Sequence, residues 1–435
     1  MAQDNEDIQP VDQERNASVV AFDRQLKRSQ TAINGDMRFD FEVEAVLAGR
    51  GQRIRRNLLS DALELHGRNG TTVMTDDLLS DIRFSLIWSR NGQEPAKDKV
   101  ADAVSLIGKR NAYHPVRDYL TGLEWDGVER LDEWLIHYAG AADNPLNRAI
   151  GRKVLCAAVR RAHKPGCKFD HMLVLQGPQD LGKSTLLKAL CADGDWFTDQ
   201  LEVGADPKVT IEKTAGAWIV EMAELDGLGK RDANRVKSFI TTTHDRARLA
   251  YDRYPVTRGR QFVLFGTTNE SAYLTDLTGN RRFWLVNVSR ADHAAIHDVR
   301  DQLWAEAVAR EPAEALWLED AALKAAAADI AKDATDYGPW FDLLSERVPD
   351  GSWKIRLSDA WRIVGIEVSD VNKLTSQHHM NMRRAMTGLG FDKKEKGLRF
   401  DGRSTGAWLR GDVADAEWWA LGDGEPRSQQ PGIDW

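Results

Sequence analysis

The chain has 435 residues, of which 42% are hydrophobic and 29% charged, and its formal net charge is −8 at pH 7. This composition is typical of a soluble globular protein with about two to four domains. The negative charge excludes blanket attraction to nucleic acid, so contacts with DNA would require local basic patches. Three cysteines without a C-x-x-C pair, no apolar run of membrane-spanning length and a polar N-terminus predict a cytoplasmic protein with no membrane partner.

The first third of the chain is predicted to contain a flexible leader at 1–35 and a small mixed α/β domain at 36–112. The predicted elements of this domain are a strand or helix at Phe39–Leu47, a basic turn at Arg50–Arg56, a strand at Thr72–Met74 and helices at Asp76–Trp88 and Lys97–Lys109. The basic turn could contact a nucleic-acid backbone, although its pattern favours a solvated loop.

Residues 113–168 are predicted to form a helical collar. Pro115 can begin one helix, Gly122 can end it, and a turn is expected at 125–127. A further helix is expected at Arg148–Ala162, where apolar residues recur at helical spacing.

The segment 171–185 contains an apolar run, a glycine-bounded loop and a helix-compatible stretch, and it fits the P-loop pattern G-x-x-x-x-G-K-[ST]. In such a loop the glycines allow close approach of phosphate, the lysine contacts β and γ phosphates, and the hydroxyl can bind Mg²⁺. An ordinary glycine turn is the competing interpretation. The predicted ATP-binding residues are Gly177, Pro178, Gln179, Asp180, Leu181, Gly182, Lys183, Ser184 and Thr185.

A second apolar strand, expected within Ala215–Asp226, ends in carboxylates and is a Walker B candidate. Glu221 suits a metal-binding role together with Ser184, and Glu224 could orient the attacking water. Alternatively, both are surface acids at a strand end.

Arginines and aromatic residues alternate after a helix predicted at Arg231–Thr243. This combination suits single-stranded nucleic acid, but an exposed hairpin that covers its own base with aromatics fits the residues equally well. The candidate DNA-binding residues are Lys237, Arg246, Arg248, Tyr251, Arg253, Arg258 and Arg260.

A third apolar strand, Gln261–Asn269, ends in polar residues, and Asn269 is predicted to contact the attacking water or the γ phosphate. Arg281 and Arg282 follow a turn. In a ring-shaped ATPase one of them could reach the nucleotide of the neighbouring subunit, although a surface salt bridge would also explain them.

The predicted ATPase domain, 169–335, closes with an alanine-rich helical layer, and residues 336–412 read as a winged-helix unit followed by a tail at 413–435. The unit has predicted helices at Ser358–Val364 and Val371–Leu389 and two short strands within Leu398–Arg410. The basic residues of this unit could contact DNA, or the unit could bind only other proteins. The candidates are Arg383, Arg384, Lys393 and Lys394.

Seven segments together resemble the virulence-associated protein E family of phages and mobile genetic islands, which is related to superfamily 3 helicases of the AAA+ class. The segments are Tyr113–Leu120, Trp125–Val128, Pro165–Asp170, the P-loop, Trp218–Asp226, Gly266–Asn269 and Thr278–Trp284. The resemblance implies an AAA+ type core and an ATP-driven DNA helicase or translocase. It would work as a ring, expected to be a homo-hexamer, on single-stranded or forked DNA with replication proteins as partners.

Some family members are fused to a primase, but the N-terminal region here is short and has no paired-aspartate metal site, so priming is not expected. The family also places a DNA-contacting hairpin between Walker B and the sensor strand, where Arg246–Arg260 lie. Two alternatives to a motor remain from the sequence: a DNA-bound ATPase switch or loader, and a P-loop phosphotransferase.

Overall fold

The computed structural model describes residues 39–90, 92–202, 205–223, 230–248, 254–270, 280–367, 373–400, 403–412 and 416–419. The expected leader at 1–35 and residues 420–435 of the expected tail lie outside these ranges. The chain divides into two compact units, 1–122 and 123–435. Across the described residues, no helix combines the length and the apolar character needed to cross a membrane.

The first unit packs helices on a three-stranded antiparallel sheet with strand order β1-β2-β3. Its elements are α1 Phe39–Gly49, β1 Arg53–Asn57, β2 Ala62–Gly67, β3 Gly70–Val73, α2 Asp76–Ser89, α3 Lys97–Arg110 and α4 Pro115–Thr121. Residues 39–47, for which strand and helix were both open, are helical, and Val43 and Leu47 are buried four residues apart on one face.

The expected basic turn at 50–56 is only partly a turn, because β1 begins at Arg53. Ile54 is buried, and antiparallel pairing with β2 fixes the strand. Arg55 lies over the ring of Tyr113, 3.9 Å from its centroid, and Arg56 pairs with Asp61 at 2.5 Å. These two arginines therefore serve the fold of the unit itself.

The second unit contains a five-stranded parallel sheet with strand order β10-β4-β9-β6-β5, flanked by helices, which confirms the α/β fold class. The strands are β4 Met172–Gln176, β5 Phe197–Thr198, β6 Ile219–Met222, β9 Val263–Thr268 and β10 Phe283–Asn287, with a separate hairpin of β7 His244–Ala247 and β8 Val256–Gly259. The sheet strands β4, β6 and β9 are buried along almost their whole length because both faces of the sheet are covered.

Helices cover this sheet and connect its strands. They are α5 Trp134–Ala139, α6 Pro145–His163, α7 Lys183–Ala189, α8 Pro207–Lys213, α9 Lys230–Thr241, α10 His293–Arg310 and α11 Ala321–Asp333. The collar helices begin and end near the expected residues: α4 begins at Pro115 and ends at Thr121, with Gly122 as its C-cap. At the start of α6 the side chain of Asn144 accepts a hydrogen bond from the backbone N–H of Asn147.

The buried Arg161 attaches α6 to the sheet. Its guanidinium donates to the carbonyl of Phe262 at 2.7 Å and to that of Phe169 at 3.1 Å, just before β9 and β4 begin. Burial lowers the pKa of Arg161 to about 10. The group remains charged at neutral pH and satisfies two buried carbonyls.

The C-terminal part of the second unit has its own core beneath a four-stranded sheet with strand order β12-β13-β11-β14. Its elements are α12 Phe341–Arg347, β11 Trp353–Arg356, α13 Leu357–Ile363, α14 Ser376–Gly388, β12 Asp392–Phe400, β13 Arg403–Arg410 and β14 Glu417–Trp419. The expected helices and hairpin are present, but α14 begins at Ser376, where Thr375 caps it. Residues 417–419 of the expected tail form a strand that pairs with β11.

Candidate functional site

The glycine-bounded loop, residues 177–182, leaves the carboxyl end of β4 and leads into α7. Its two glycines are required sterically. A Cβ on Gly177 would lie 2.5 Å from the carbonyl oxygen of Val288, and Gly182 has a φ of +88°. Asp180 also has a positive φ, +60°. Residues with bulkier side chains at Gly177 or Gly182 would therefore force the loop out of this backbone path.

The ammonium group of Lys183 lies inside this loop. Its Nζ donates to the carbonyl oxygens of Gly177 and Pro178, both at 2.8 Å, and to Oδ1 of Asn269 at 2.9 Å. The side chain is buried, with 7% exposed. Lys183 and Asn269, predicted from separate motifs, thus meet at the carboxyl edge of the sheet.

Glu221 is fully buried on β6, beside the loop. Its Oε1 accepts hydrogen bonds from the hydroxyls of Ser184 and Thr267, both at 2.7 Å, whereas Oε2 has no hydrogen-bond partner within the described residues. A buried carboxylate oxygen without a partner is costly, and a bound cation would compensate its charge.

The two oxygen donors at this site, the carboxylate of Glu221 and the hydroxyl of Ser184, fit Mg²⁺ better than they fit a cation whose ligands all come from the protein. Within the described ranges no group of three or more histidine, cysteine, aspartate or glutamate side chains could hold a metal ion. One carboxylate and one hydroxyl leave most positions to water and phosphate oxygens, which is how Mg²⁺ is usually bound. Ser184 and Glu221 are the residues that would hold it.

Strand order explains why these residues meet. β9 lies between β4 and β6, and in parallel strands all carboxyl ends share one edge. Gln176 pairs with Thr268, and Met222 with Gly266. Thr267 was missed by the sequence analysis, although the signal was present in the Gly-Thr-Thr-Asn run.

Arg281 and Arg282 lie at the opposite, amino edge of the same sheet, in a 3-10 turn that precedes β10. Phe283 pairs with Met172 at this edge, and Asn287 pairs with Gln176 at the loop edge. Five residues of strand, about 16 Å, separate the two edges. Arg281 is exposed and Arg282 half-buried.

Residues 120–335, which span this sheet and loop, match the family model of the Virulence-associated protein E-like domain. The chain contains a domain of this family. No curated protein matches the chain.

Solved structures of the NrS-1 C-terminal region are similar to the chain. The A form apo structure has a TM-score of 0.47 at 11% identity and covers 85% of this chain and 99% of that one. Another apo structure of the region has a TM-score of 0.45, also at 11% identity, and covers 85% and 98%.

In this virulence-associated protein E-like domain, the predicted basic hairpin exists as β7 and β8. Arg246 and Arg248 are exposed and Arg258 is half-buried, whereas Tyr251 and Arg253 lie outside the described residues, as does Glu224.

The structure corrects the DNA-binding prediction for two residues near the hairpin. Arg260 is 3% exposed: its guanidinium pairs with both carboxylate oxygens of Asp245 at 2.7 and 2.8 Å and lies 3.9 Å from the ring centroid of Phe239. Lys237, on α9, is 6% exposed. Burial removes both from a surface that DNA can reach, and Arg260 instead holds the base of the hairpin together.

In the C-terminal part, which follows the domain, some of the basic residues predicted to contact DNA are exposed and one is held in an ion pair. Arg383, Lys393 and Lys394 are exposed. Arg384 pairs with Asp336 at 2.6 Å, which connects α14 to the segment that precedes α12.

Proposed function

We propose that the chain is a Mg²⁺-dependent ATPase that works as an oligomeric ring on DNA, a helicase or translocase in the replication of phage or mobile-element DNA. Two neighbouring features carry the proposal: the fully buried Glu221 has a carboxylate oxygen without a hydrogen-bond partner among the described residues, and the glycine-bounded loop holds the ammonium group of Lys183. A site that binds an anion and a cation together would satisfy both groups. The family relationship supports the same activity.

The residues at the carboxyl edge divide the work. The loop backbone and Lys183 bind the phosphates, and Ser184 and Glu221 hold Mg²⁺, which, when bound, neutralises charge on the phosphate oxygens. Asn269 lies 2.9 Å from the Lys183 ammonium. This proximity supports our assignment of its amide to the γ phosphate and the attacking water. We assign Glu224 the activation of that water.

The position of Arg281 supports a ring. An arginine about 16 Å from its own loop cannot neutralise charge there, but the amino edge of one copy can face the carboxyl edge of the next in a head-to-tail assembly. Arg281 is exposed, and we assign the trans-acting role to it in preference to the half-buried Arg282. The resemblance implies a hexamer.

Two exposed basic surfaces are available to DNA. The first is the hairpin, with Arg246 and Arg248. The second is the C-terminal part, whose order of helix, strand, two helices and hairpin supports a winged-helix interpretation, with Arg383, Lys393 and Lys394 exposed. We propose that the hairpin tracks single-stranded DNA during hydrolysis and that the C-terminal part adds backbone contacts.

Steady-state ATP turnover with and without single-stranded DNA, over a series of protein concentrations, tests this function. We expect turnover to rise with DNA and more than linearly with protein, because each site is completed by a neighbour. Arg246→Glu with Arg248→Glu should weaken DNA binding and reduce the magnitude of the slope of log affinity against log salt by about 1.4, because each of the two lost contacts with single-stranded DNA contributes roughly 0.7.

The matched control is Lys97→Glu with Lys109→Glu, an equal charge change at two exposed lysines of the first unit, which should leave DNA affinity unchanged. Turnover that ignores both DNA and protein concentration would contradict the ring motor. A slow, DNA-bound enzyme without unwinding would indicate a switch or loader, and phosphate transfer to a small acceptor would indicate a phosphotransferase.

A further inference from the structure

A cavity of about 620 Å³ opens at the amino edge of the parallel sheet, between the ends of β4 and β10 and the helix α11. This volume lies within the range of small-molecule pockets, about 300–1,000 Å³. The cavity lies at the edge opposite the glycine-bounded loop, so it is separate from the phosphate site proposed above.

Aromatic rings form one wall of the cavity. The rings of His171 and Trp284 are stacked, with centroids 4.2 Å apart and an interplanar angle of 14°. Trp317, which is 56% exposed, and Tyr337 complete the aromatic lining. Burial lowers the pKa of His171 to about 4, so its ring is neutral at physiological pH and presents an aromatic face without charge.

Alanines and cations of α11 form the facing wall. Lys324, Ala328 and Lys332 follow one another at intervals of four residues, so they share one side of the helix. Small alanine side chains leave room for a flat group, and the two lysines bracket it.

The charge of the lining is entirely positive. Arg281, Lys324 and Lys332 contribute three cations, and the residues that line the cavity include no carboxylate. Neither lysine ammonium forms an ion pair with a described residue. A cavity of this kind attracts an anion, and the rings of His171, Trp317 and Tyr337 in its lining favour a planar aromatic body.

We propose that this cavity binds a flat aromatic ring that carries an anionic group, the chemistry of the base and phosphate of a nucleotide. The aromatic wall stacks on the ring, and the ammonium groups of Lys324 and Lys332 bind the phosphate. The nucleotide can be free or can belong to a DNA strand, and the two sources are separated by experiment.

The test measures binding of radiolabelled AMP to the full chain by equilibrium dialysis, in a Lys183→Ala background that disables the phosphate loop. The decisive variant is Ala328→Trp, which fills the cavity from an exposed helical position. Its control is Ala325→Trp, an exposed alanine of the same helix that does not line the cavity. Thermal midpoints should match between the two variants.

We expect AMP to bind the Lys183→Ala protein, Ala328→Trp to weaken binding at least about tenfold, and Ala325→Trp to leave it within about twofold. Lys324→Gln with Lys332→Gln should weaken AMP binding and reduce its sensitivity to salt. Adenosine without phosphate should bind more weakly than AMP.

Two competition arms identify the source. A short single-stranded oligonucleotide that displaces AMP would indicate that the site takes a nucleotide of a DNA strand, and failure to displace would indicate a free nucleotide. AMP binding that Ala328→Trp leaves unchanged, or no binding at about 1 mM, would overturn the proposal. A loss of oligomers in Ala328→Trp without AMP binding in its parent would overturn it in favour of a protein side chain from a second copy.

Discussion

The two edges of the five-stranded sheet are built from the ends of the same strands, yet their chemistry differs. At the carboxyl edge, Lys183 and Glu221 are buried and hydrogen-bonded to neighbouring loop and strand groups, and one oxygen of Glu221 is left without a partner among the described residues. At the amino edge, Arg281 is exposed beside the stacked rings of His171 and Trp284.

We propose from this difference that the carboxyl edge binds a charged ligand and that Arg281 at the amino edge acts on a neighbouring copy. Among the described residues, the hydrogen-bonded side chains at the carboxyl edge include a lysine but no arginine; they are Lys183, Ser184, Glu221, Thr267 and Asn269. In phosphoryl transfer the missing cation commonly comes from a second subunit. The predictions below test whether the two edges cooperate across copies of the chain.

The largest expected change in ATP turnover comes from variants that each disable one of the two edges. Arg281→Ala should reduce ATP turnover by about 10³-fold or more, because arginines that act in trans contribute that much to phosphoryl transfer. An equal mixture with Lys183→Ala should recover about a quarter of the wild-type rate, since a random head-to-tail ring pairs an intact loop with an intact arginine at that frequency. The measurement is phosphate release after subunit exchange.

Arg282→Ala is the matched control for this experiment, and it should retain most of the turnover. If the mixture of Arg281→Ala and Lys183→Ala stays as inactive as its components, the two edges do not meet across subunits.

Glu221→Gln should separate the catalytic role of the carboxylate from its structural cost. Turnover should fall about 10²-fold or more because the metal loses its charged ligand. The thermal midpoint without Mg²⁺ should be unchanged or higher, because an uncompensated buried charge has been removed. Differential scanning fluorimetry with and without Mg²⁺ and ATP provides both comparisons.

The control, Glu212→Gln, alters an exposed glutamate on α8 whose ion pair with Lys208 spans 3.9 Å, and neither property should change. Wild-type turnover together with a markedly lower midpoint in Glu221→Gln would mean that the carboxylate is only structural.

At the amino edge, His171 should make the free energy of unfolding depend on pH, and this effect should be smaller than those above. Burial lowers the pKa of His171 to about 4, from the usual 6.5. Between these values the unfolded chain binds a proton that the folded protein does not, so the free energy of unfolding decreases as pH falls, by about 1–3 kcal/mol. His171→Phe keeps the stacking on Trp284 and should remove this part of the pH dependence.

Urea unfolding of wild type and His171→Phe from pH 7 to pH 4.5 measures the difference. His297→Gln, a change at an exposed histidine, should follow the wild-type curve. Parallel curves for wild type and His171→Phe would show that His171 does not titrate in this range.

The sequence predicts those parts of the carboxyl-edge site that depend on neighbouring residues in the chain. Gly177 and Gly182 are dictated by backbone conformation and close approach, and a carboxylate near the end of an apolar strand is expected beside the loop. Lys183, Glu221 and Asn269 could therefore be placed at one edge without coordinates, because the carboxyl ends of parallel strands meet there.

Features that depend on distant partners could not be predicted in this way. In the sequence, Arg260 is one of several arginines close together and nothing separates it from the others. In the structure it forms a buried ion pair with Asp245, on the facing strand of the hairpin. The cavity unites His171, Arg281 and α11, which are far apart in the sequence. The pairing of β14 with β11 likewise depends on a contact across more than sixty residues. Periodicity and spacing report which residues share an element, and they do not report which elements meet.

The most direct test of the account is Mg²⁺-dependent ATP hydrolysis by the wild type, Lys183→Ala and Lys188→Ala. Lys183 is buried in the loop, whereas Lys188 is an exposed lysine of the same helix. We predict that Lys183→Ala loses turnover by about 10²–10³-fold with little change in thermal midpoint, and that Lys188→Ala resembles the wild type. Equal turnover in all three proteins would contradict the assignment of the glycine-bounded loop as the nucleotide site.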